Sequence, residues 1–436
     1  MPKLAAALPK LSFDVTHHTL DNGLRVVVSP DRSAPVIGIA VLYDVGIRSE
    51  PEGRTGFAHL FEHLMFQGST NLEKLEHFRY VQSSGGTFNG STHIDYTNYF
   101  ESLPSNALER GLFLEADRMR SPRITEENLA NQLDVVKNEI RVNVLNRPYG
   151  GFPWIYLPAV LFDSFANSHN GYGGFEDLES ATVDDATDFF KKYYAPGNAV
   201  LSVVGDLDVD ETLGLVDRHF GGITKRRTPK RPNFAEPALT AERRETHHDA
   251  HAPIPAVAIG YRVPNPVREL DDHLAHILLT EVLTDGDASR LQRRLVQRDH
   301  IVTDIAAYIG EFGDPFDERD PTALTISAHY PDAASLDAIL RAIDEELERI
   351  ATDGLDAGEL DRVRRRLAAA VLRELDPVIS RTLEFAKFEL IYGRTEMIAE
   401  LPSLLEAVSE DAVRRAAGGL QASRRAVLEL VAGGSR

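Results

Sequence analysis

At 436 residues the chain is long enough for two or more cores, its 43% apolar and 26% charged composition is that of an ordinary globular protein, and no apolar run approaches the roughly 20 residues of a membrane span. A formal net charge of −20 excludes the Lys/Arg surplus that non-specific nucleic-acid binding requires. The absence of cysteine excludes disulfides and thiolate ligands or nucleophiles, so any metal has to sit on His, Asp or Glu.

At the N-terminus a short apolar patch is interrupted by Pro9 and Lys10 before a secretory core forms, which predicts an unexported, cytoplasmic chain, or a periplasmic one if the chain is a processed form. The turn Asp21-Asn22-Gly23 introduces two β-like runs, Leu24 to Ser29 and Pro35 to Tyr43. After Gly53 the pattern becomes helical: FAHLFEHLMF carries apolar residues on most faces, as a buried helix does. Helical spacing recurs in Ala107 to Met119, Glu126 to Leu145 and Val183 to Tyr194, and Asn198 to Gly205 reads as a buried strand. Helices and strands mix, so the predicted class is α+β.

Residues 224–240, TKRRTPKRPNFAEPALT, combine prolines with a basic run and lack either periodicity, which marks a linker between domains at 1–223 and 241–436. Beyond it, Ile254 to Arg262 reads as a strand and Asp271 to Leu283 as a helix, followed by amphipathic helices such as Leu336 to Ile350 and Leu360 to Leu375. HLFEHLMFQG (His59 to Gly68) pairs without gaps with ILLTEVLTDG (Ile277 to Gly286), and His59, Glu62 and His63 then face Ile277, Thr280 and Glu281. The chain reads as two similar, duplicated α+β domains of which only the first can hold a metal.

His59-Leu60-Phe61-Glu62-His63 is an H-x-x-E-H sequence within a predicted helix. Residues i and i+4 project from one helix face, so the two imidazoles can converge on one ion with Glu62 beside them. Two imidazoles and a carboxylate suit zinc and leave a fourth position for water, whose pKa the metal lowers to about 7 and whose proton an adjacent carboxylate can take. Glu62 fits that role. Glu115, Glu126, Glu127 and Glu139 all lie at a spacing that allows a third ligand. The other histidine group, His247, His248 and His251, has no carboxylate at catalytic spacing and reads as a strand-edge cluster.

The segment GFAHLFEHLMFQGS (Gly56 to Ser69) resembles the metal-binding helix of the pitrilysin or insulinase family of metallopeptidases, in particular the two-domain branch that includes mitochondrial processing peptidase. GGTFNGSTHIDYTNYFESLP (Gly85 to Pro104), LDVVKNEI (Leu133 to Ile140) and YYAPGNAVLSVVGDLD (Tyr193 to Asp208) are similar to the family's successive blocks. The resemblance implies Zn2+, one per chain, on His59, His63 and Glu139, with Glu62 activating water. It also implies an edge strand at Phe88, Asn89, Gly90 and Ser91 to which an extended peptide substrate adds. An acidic residue common before the third ligand is replaced by Gln132, which bears on support of the ligands.

Family members built as a single domain pair complete the site with an Arg and a Tyr from a C-terminal-type domain. In the matching block, SRLQRRLVQRDHIVTDIAAY, those positions fall on Val296 and Thr303, and Arg293, Arg294 or Arg298 with Tyr308 lack the family spacing. The resemblance therefore implies the catalytic subunit of a heterodimer whose paralogous partner supplies the pair. The rival reading is a non-catalytic core-type subunit of a larger complex.

Overall fold

The computed structural model describes residues 11–319, 321–331 and 335–433. The N-terminal reading from Pro9 and Lys10 lies outside the described residues. In the opening turn Asn22 Oδ1 accepts from the Leu24 N–H at 3.1 Å, and β1 (Thr16–Thr19) folds back antiparallel on β2 (Arg25–Pro30). β3 (Val36–Tyr43), β4 (Thr87–Thr92), β5 (Thr97–Pro104) and β6 (Ala199–Gly205) complete a six-stranded sheet in the order β1-β2-β6-β3-β5-β4. The continuous apolar run of β6 has its reason here: it lies between β2 and β3 and is buried throughout. Within this sheet only the β2–β6 pair is parallel.

A second sheet has five strands, β7 (Arg243–Asp249), β8 (Ala256–Val263), β9 (Asp304–Ile309), β10 (Thr322–His329) and β11 (Arg425–Ala432), in the order β7-β11-β8-β10-β9. Its parallel pair, β7 with β11, stands where β2 and β6 stand in the first sheet, and the remaining pairs are antiparallel. The two sheets are copies of one pattern. The fold is the duplicated α+β architecture that the helix pairing predicts.

Four helices build the first half: α1 (Phe57–Leu64), α2 (Glu76–Ser83), α3 (Leu108–Arg120) and α4 (Glu126–Ile140). The chain divides into two compact units. One comprises Met1–Lys137, Gly171–Pro232 and Ala369–Leu401, the other Asn138–Asn170, Asn233–Ala368 and Pro402–Arg436. Each half thus lends a helical segment to the other half's unit. The helix Val378–Tyr392 packs on β3 and β6 in the first. In the second, α5 (Leu157–Leu161) packs on β8 and β11, where Leu157 and Leu161 join Phe152, Phe162, Ala258 and Leu428 in one apolar core. Residues 224–240 contain no helix or strand. Among the described residues no helix is long and apolar enough to cross a membrane.

Candidate metal centre

α1 starts from Gly56, whose φ of 78° is left-handed and where a Cβ would lie 2.3 Å from the Tyr172 carbonyl oxygen. The Glu50 carboxylate caps the helix, accepting from the Gly56 N–H at 2.8 Å and the Ala58 N–H at 2.7 Å, a negative group at the positive end of the dipole. Phe57, Leu60, Phe61 and Leu64 are buried, with the Phe61 ring 4.5 Å from Tyr194 and 5.3 Å from Phe189. This packing fixes the rotation of α1 and leaves His59 and His63 half-buried on the opposite face, their ring centroids 4.8 Å apart. Tyr172 stands edge-on to His59 at 5.1 Å. Burial, reinforced by His63, lowers the His59 pKa to about 3, so this imidazole stays neutral, the state a metal ligand requires.

α4 supplies the rest of the donor set. Gln132 and Glu139 lie two turns apart, on one side of the helix. The Gln132 Oε1 accepts from His63 Nδ1 at 3.2 Å, and its amide group donates to Asn131 Oδ1 at 2.8 Å, which orients the side chain and leaves His63 Nε2 for a ligand bond. The ligand atoms of His59, His63 and Glu139 lie within 4.8 Å of one another, all three residues half-buried. The boundary between the two compact units falls inside α4, which is one continuous helix. Two neutral-capable imidazoles and a carboxylate brought this close make the donor set of an open zinc site.

Glu62 is buried on the same helix, and its Oε2 accepts from Thr92 Oγ1 at 2.7 Å. β4 passes close over it: a Cβ on Gly90 would come within 3.3 Å of Glu62 Oε1, 3.1 Å of Phe66 Cε2 and 3.2 Å of the Asn98 carbonyl oxygen. β4 is the last strand of its sheet. Phe88 stacks on Phe78 at 4.5 Å, Asn89 Oδ1 accepts from the Gly90 N–H at 2.9 Å, and Ser91 Oγ donates to Asn98 Oδ1 at 3.0 Å. All four strand residues singled out from sequence therefore sit on the edge strand that crosses Glu62. Thr92 and Tyr172 were not anticipated; Tyr172 lies in the glycine-rich stretch Gly171–Gly174, a turn signal without chemical content.

The other carboxylates compatible with spacing are elsewhere. Glu126 and Glu127 are exposed in the first turn of α4, about 20 Å along the helix from Glu139. Glu115 belongs to a buried cluster with His77 and Glu101, whose ligand atoms also lie within 4.8 Å of one another. Arg118, stacked over Tyr99 at 4.4 Å and Phe66 at 5.0 Å, forks onto Glu115, its Nε donating at 3.0 Å. That ion pair leaves a single carboxyl to neutralise. A proton on Glu101 does so without a metal: burial, then Glu115, pushes its pKa well above the usual range.

In the second unit the helix Leu270–Thr284 carries Ile277, Thr280 and Glu281 at the positions of the metal motif. Thr280 Oγ1 donates to the Ile277 carbonyl at 2.7 Å, and Glu281 is pushed up to about 7 by burial and by Asp285. Among the described residues no three-ligand group forms there. Val296 lies in the π-helical turn Gln292–Arg298, and Thr303 Oγ1 donates to the His329 carbonyl at 3.1 Å. Arg294 is engaged by Glu345 and Glu346, and burial raises Tyr308 to about 12. His247 stacks on Tyr156 at 3.9 Å on the edge strand β7, as a strand-edge histidine.

Residues 25–148 match the family model described as insulinase (peptidase family M16), and residues 180–367 match that of the peptidase M16 inactive domain. The chain is 29% identical over 386 residues to the zinc protease PqqE of Helicobacter pylori, covering 86% of this chain and 83% of that one. It is 25% identical over 404 residues to subunit 1 of the mitochondrial cytochrome b-c1 complex of Rattus norvegicus, covering 91% and 81%. The crystal structure of a protease from Helicobacter pylori superposes with a TM-score of 0.87 at 26% identity, over 96% of this chain and all (100%) of that one.

Proposed function

The chain belongs to the insulinase, or pitrilysin, family of peptidases (M16), and from that premise we propose that it is a zinc-dependent endopeptidase subunit acting on peptides or unfolded segments. One observation carries the reading: His59, His63 and Glu139 offer their ligand atoms within 4.8 Å of one another, with Glu62 on the same helix as the two histidines. These three would hold one Zn2+ per chain. When bound, the metal supplies Lewis acidity, which makes water more acidic and a peptide carbonyl more electrophilic.

The chain's own groups do the remainder. Glu62 takes the proton of the attacking water and passes it to the leaving amine, its carboxylate held in place by Thr92 Oγ1. Phe88, Asn89, Gly90 and Ser91 offer the edge of β4 to an extended substrate, and the bare Gly90 keeps that backbone close to Glu62. Gln132 orients His63 as a neutral partner in place of a carboxylate.

The proposal extends to a heterodimer. Val296 has no donor and Thr303 is too short to stand for a phenol, so a paralogous subunit would bring the Arg/Tyr pair that grips the substrate. In domain terms we take 1–223 and 241–436 as the two copies joined by 224–240, each contributing the helical segment noted above to the other's unit. The likeness to a cytochrome b-c1 subunit favours a second reading, a core-type subunit without catalysis. Glu62→Gln separates the two. The variant should keep its zinc and lose at least about 100-fold in peptide cleavage; cleavage at the parent rate rejects Glu62 as the base, and absence of cleavage by the parent chain with every M16 partner supports the core-type reading.

A further inference from the structure

The two sheets share five strands and differ at one edge. In the first, β2 is covered by β1, which pairs with it antiparallel from Thr16 opposite Val28 to Thr19 opposite Arg25. In the second, β7 is the counterpart of β2, and among the described residues its only ladder is the one to β11. A strand edge presents a row of N–H and C=O groups that another extended backbone satisfies in register. Over Arg243–Asp249 this edge is seven residues long, and Arg244, Glu245, Thr246 and His248 are exposed.

Charges on an edge strand ordinarily repel an incoming strand, but here the guanidinium groups are tied to the faces of the sheet. Arg243 Nη2 lies 2.6 Å from Asp163 Oδ1, and Arg244 lies 2.6 Å from Glu242 and 3.2 Å from Asp337. On the face that carries Arg243 and His247, a groove of about 690 Å³ opens toward α5, lined by Tyr156, Val160, Ser168, His169, Asn170 and His247. Its walls are aromatic: Tyr156 stacks on His247, and His169 stacks on Phe165 with centroids 4.4 Å apart. A residue of an added strand opposite His247 projects to the same side as His247, into this groove.

We propose that β7 is a peptide-binding edge: an extended polypeptide segment adds antiparallel to Arg243–Asp249 and lodges an aromatic side chain in the groove beside Tyr156, His169 and His247. The first unit shows the class of occupant, since the equivalent edge there is covered by four residues of extended backbone. Aromatic rings at half-buried, partly polar walls take a ring in stacked or edge-on contact. The site lies wholly in the second unit and uses none of the metal ligands, so it stands or falls apart from the peptidase reading.

The test uses the full chain carrying Glu62→Gln, so that the probe survives, and an unstructured Thr/Val peptide with one central Phe. Hydrogen exchange should slow at 243–249 on saturation with the peptide. A second probe, N-methylated at alternate residues and unable to form a ladder, should not produce this protection, and replacing its Phe by Ala in the first probe should weaken binding by about tenfold. Unchanged exchange at 243–249, or equal protection by the N-methylated probe, overturns the proposal. So does protection that depends on protein concentration and not on peptide, which would assign the edge to a second copy of the chain.

Discussion

At the residue scale the site depends on groups held in one protonation state by their surroundings. His63 is oriented by an amide, not a carboxylate, and partners of this kind contribute about 10–100-fold to metal affinity. Gln132→Leu should weaken zinc binding to that extent in competition with a chromophoric chelator, and Gln132→Glu should tighten it; equal affinity in all three proteins would detach Gln132 from the site. The buried group of His77 on α2, Tyr99 and Glu101 on β5, and Glu115 and Arg118 on α3 makes a different prediction. Glu101 keeps its proton in the folded protein above the pH, near 4.5, at which an exposed glutamate loses it. The unfolded chain then binds fewer protons, so this group's contribution to stability falls as pH rises from about 4.5 toward the folded pKa. His77, kept neutral by burial and by Arg118, acts in the opposite sense, losing stability as pH falls through 6.5. Glu101→Gln should flatten the alkaline decline in urea unfolding between about pH 5 and pH 8, and an unchanged slope would place the proton elsewhere.

At the scale of elements, α1 and β4 act together, because Gly90 lets the edge strand lie against Glu62 and Phe66. Gly90→Val should displace β4 and reduce cleavage at least about tenfold while zinc content stays at the parent level; loss of zinc together with activity would show that the strand supports the ligands instead. Much of this level is legible in the sequence. The buried strands β2, β3 and β6 and the helices α1, α3 and α4 announce themselves through apolar runs and helical spacing, and H-x-x-E-H fixes two ligands by i, i+4 geometry. Glu139 does not follow from local pattern: it approaches α1 only because α4 folds back, a tertiary fact that spacing left open among four glutamates. Thr92 and Tyr172 were illegible for the same reason, since a hydroxyl or a ring meets its partner through the fold and not through the chain. The membership of Val378–Tyr392 in the first unit is likewise invisible to a reading that cuts the chain once at a linker.

For the whole molecule, duplication explains why one copy carries chemistry and the other does not: Ile277 and Thr280 stand where the first copy has His59 and Glu62. The chain alone should cleave peptides slowly, and addition of a homologous subunit carrying the Arg/Tyr pair should raise the rate; full activity of the isolated chain would refute the partner requirement. The surplus of acidic residues behind the net charge of −20 predicts faster capture of Arg- or Lys-rich peptides, with kcat/KM falling as salt rises, and a salt-independent rate would remove that preference. The central claim is that His59, His63 and Glu139 hold one catalytic zinc. Its most direct test is to strip the chain of metal, return zinc in sub-stoichiometric steps in the presence of the partner, and follow peptide cleavage against bound zinc: the account predicts a rate rising in proportion to occupancy and levelling at one zinc per chain, and full cleavage by the metal-free protein would contradict it.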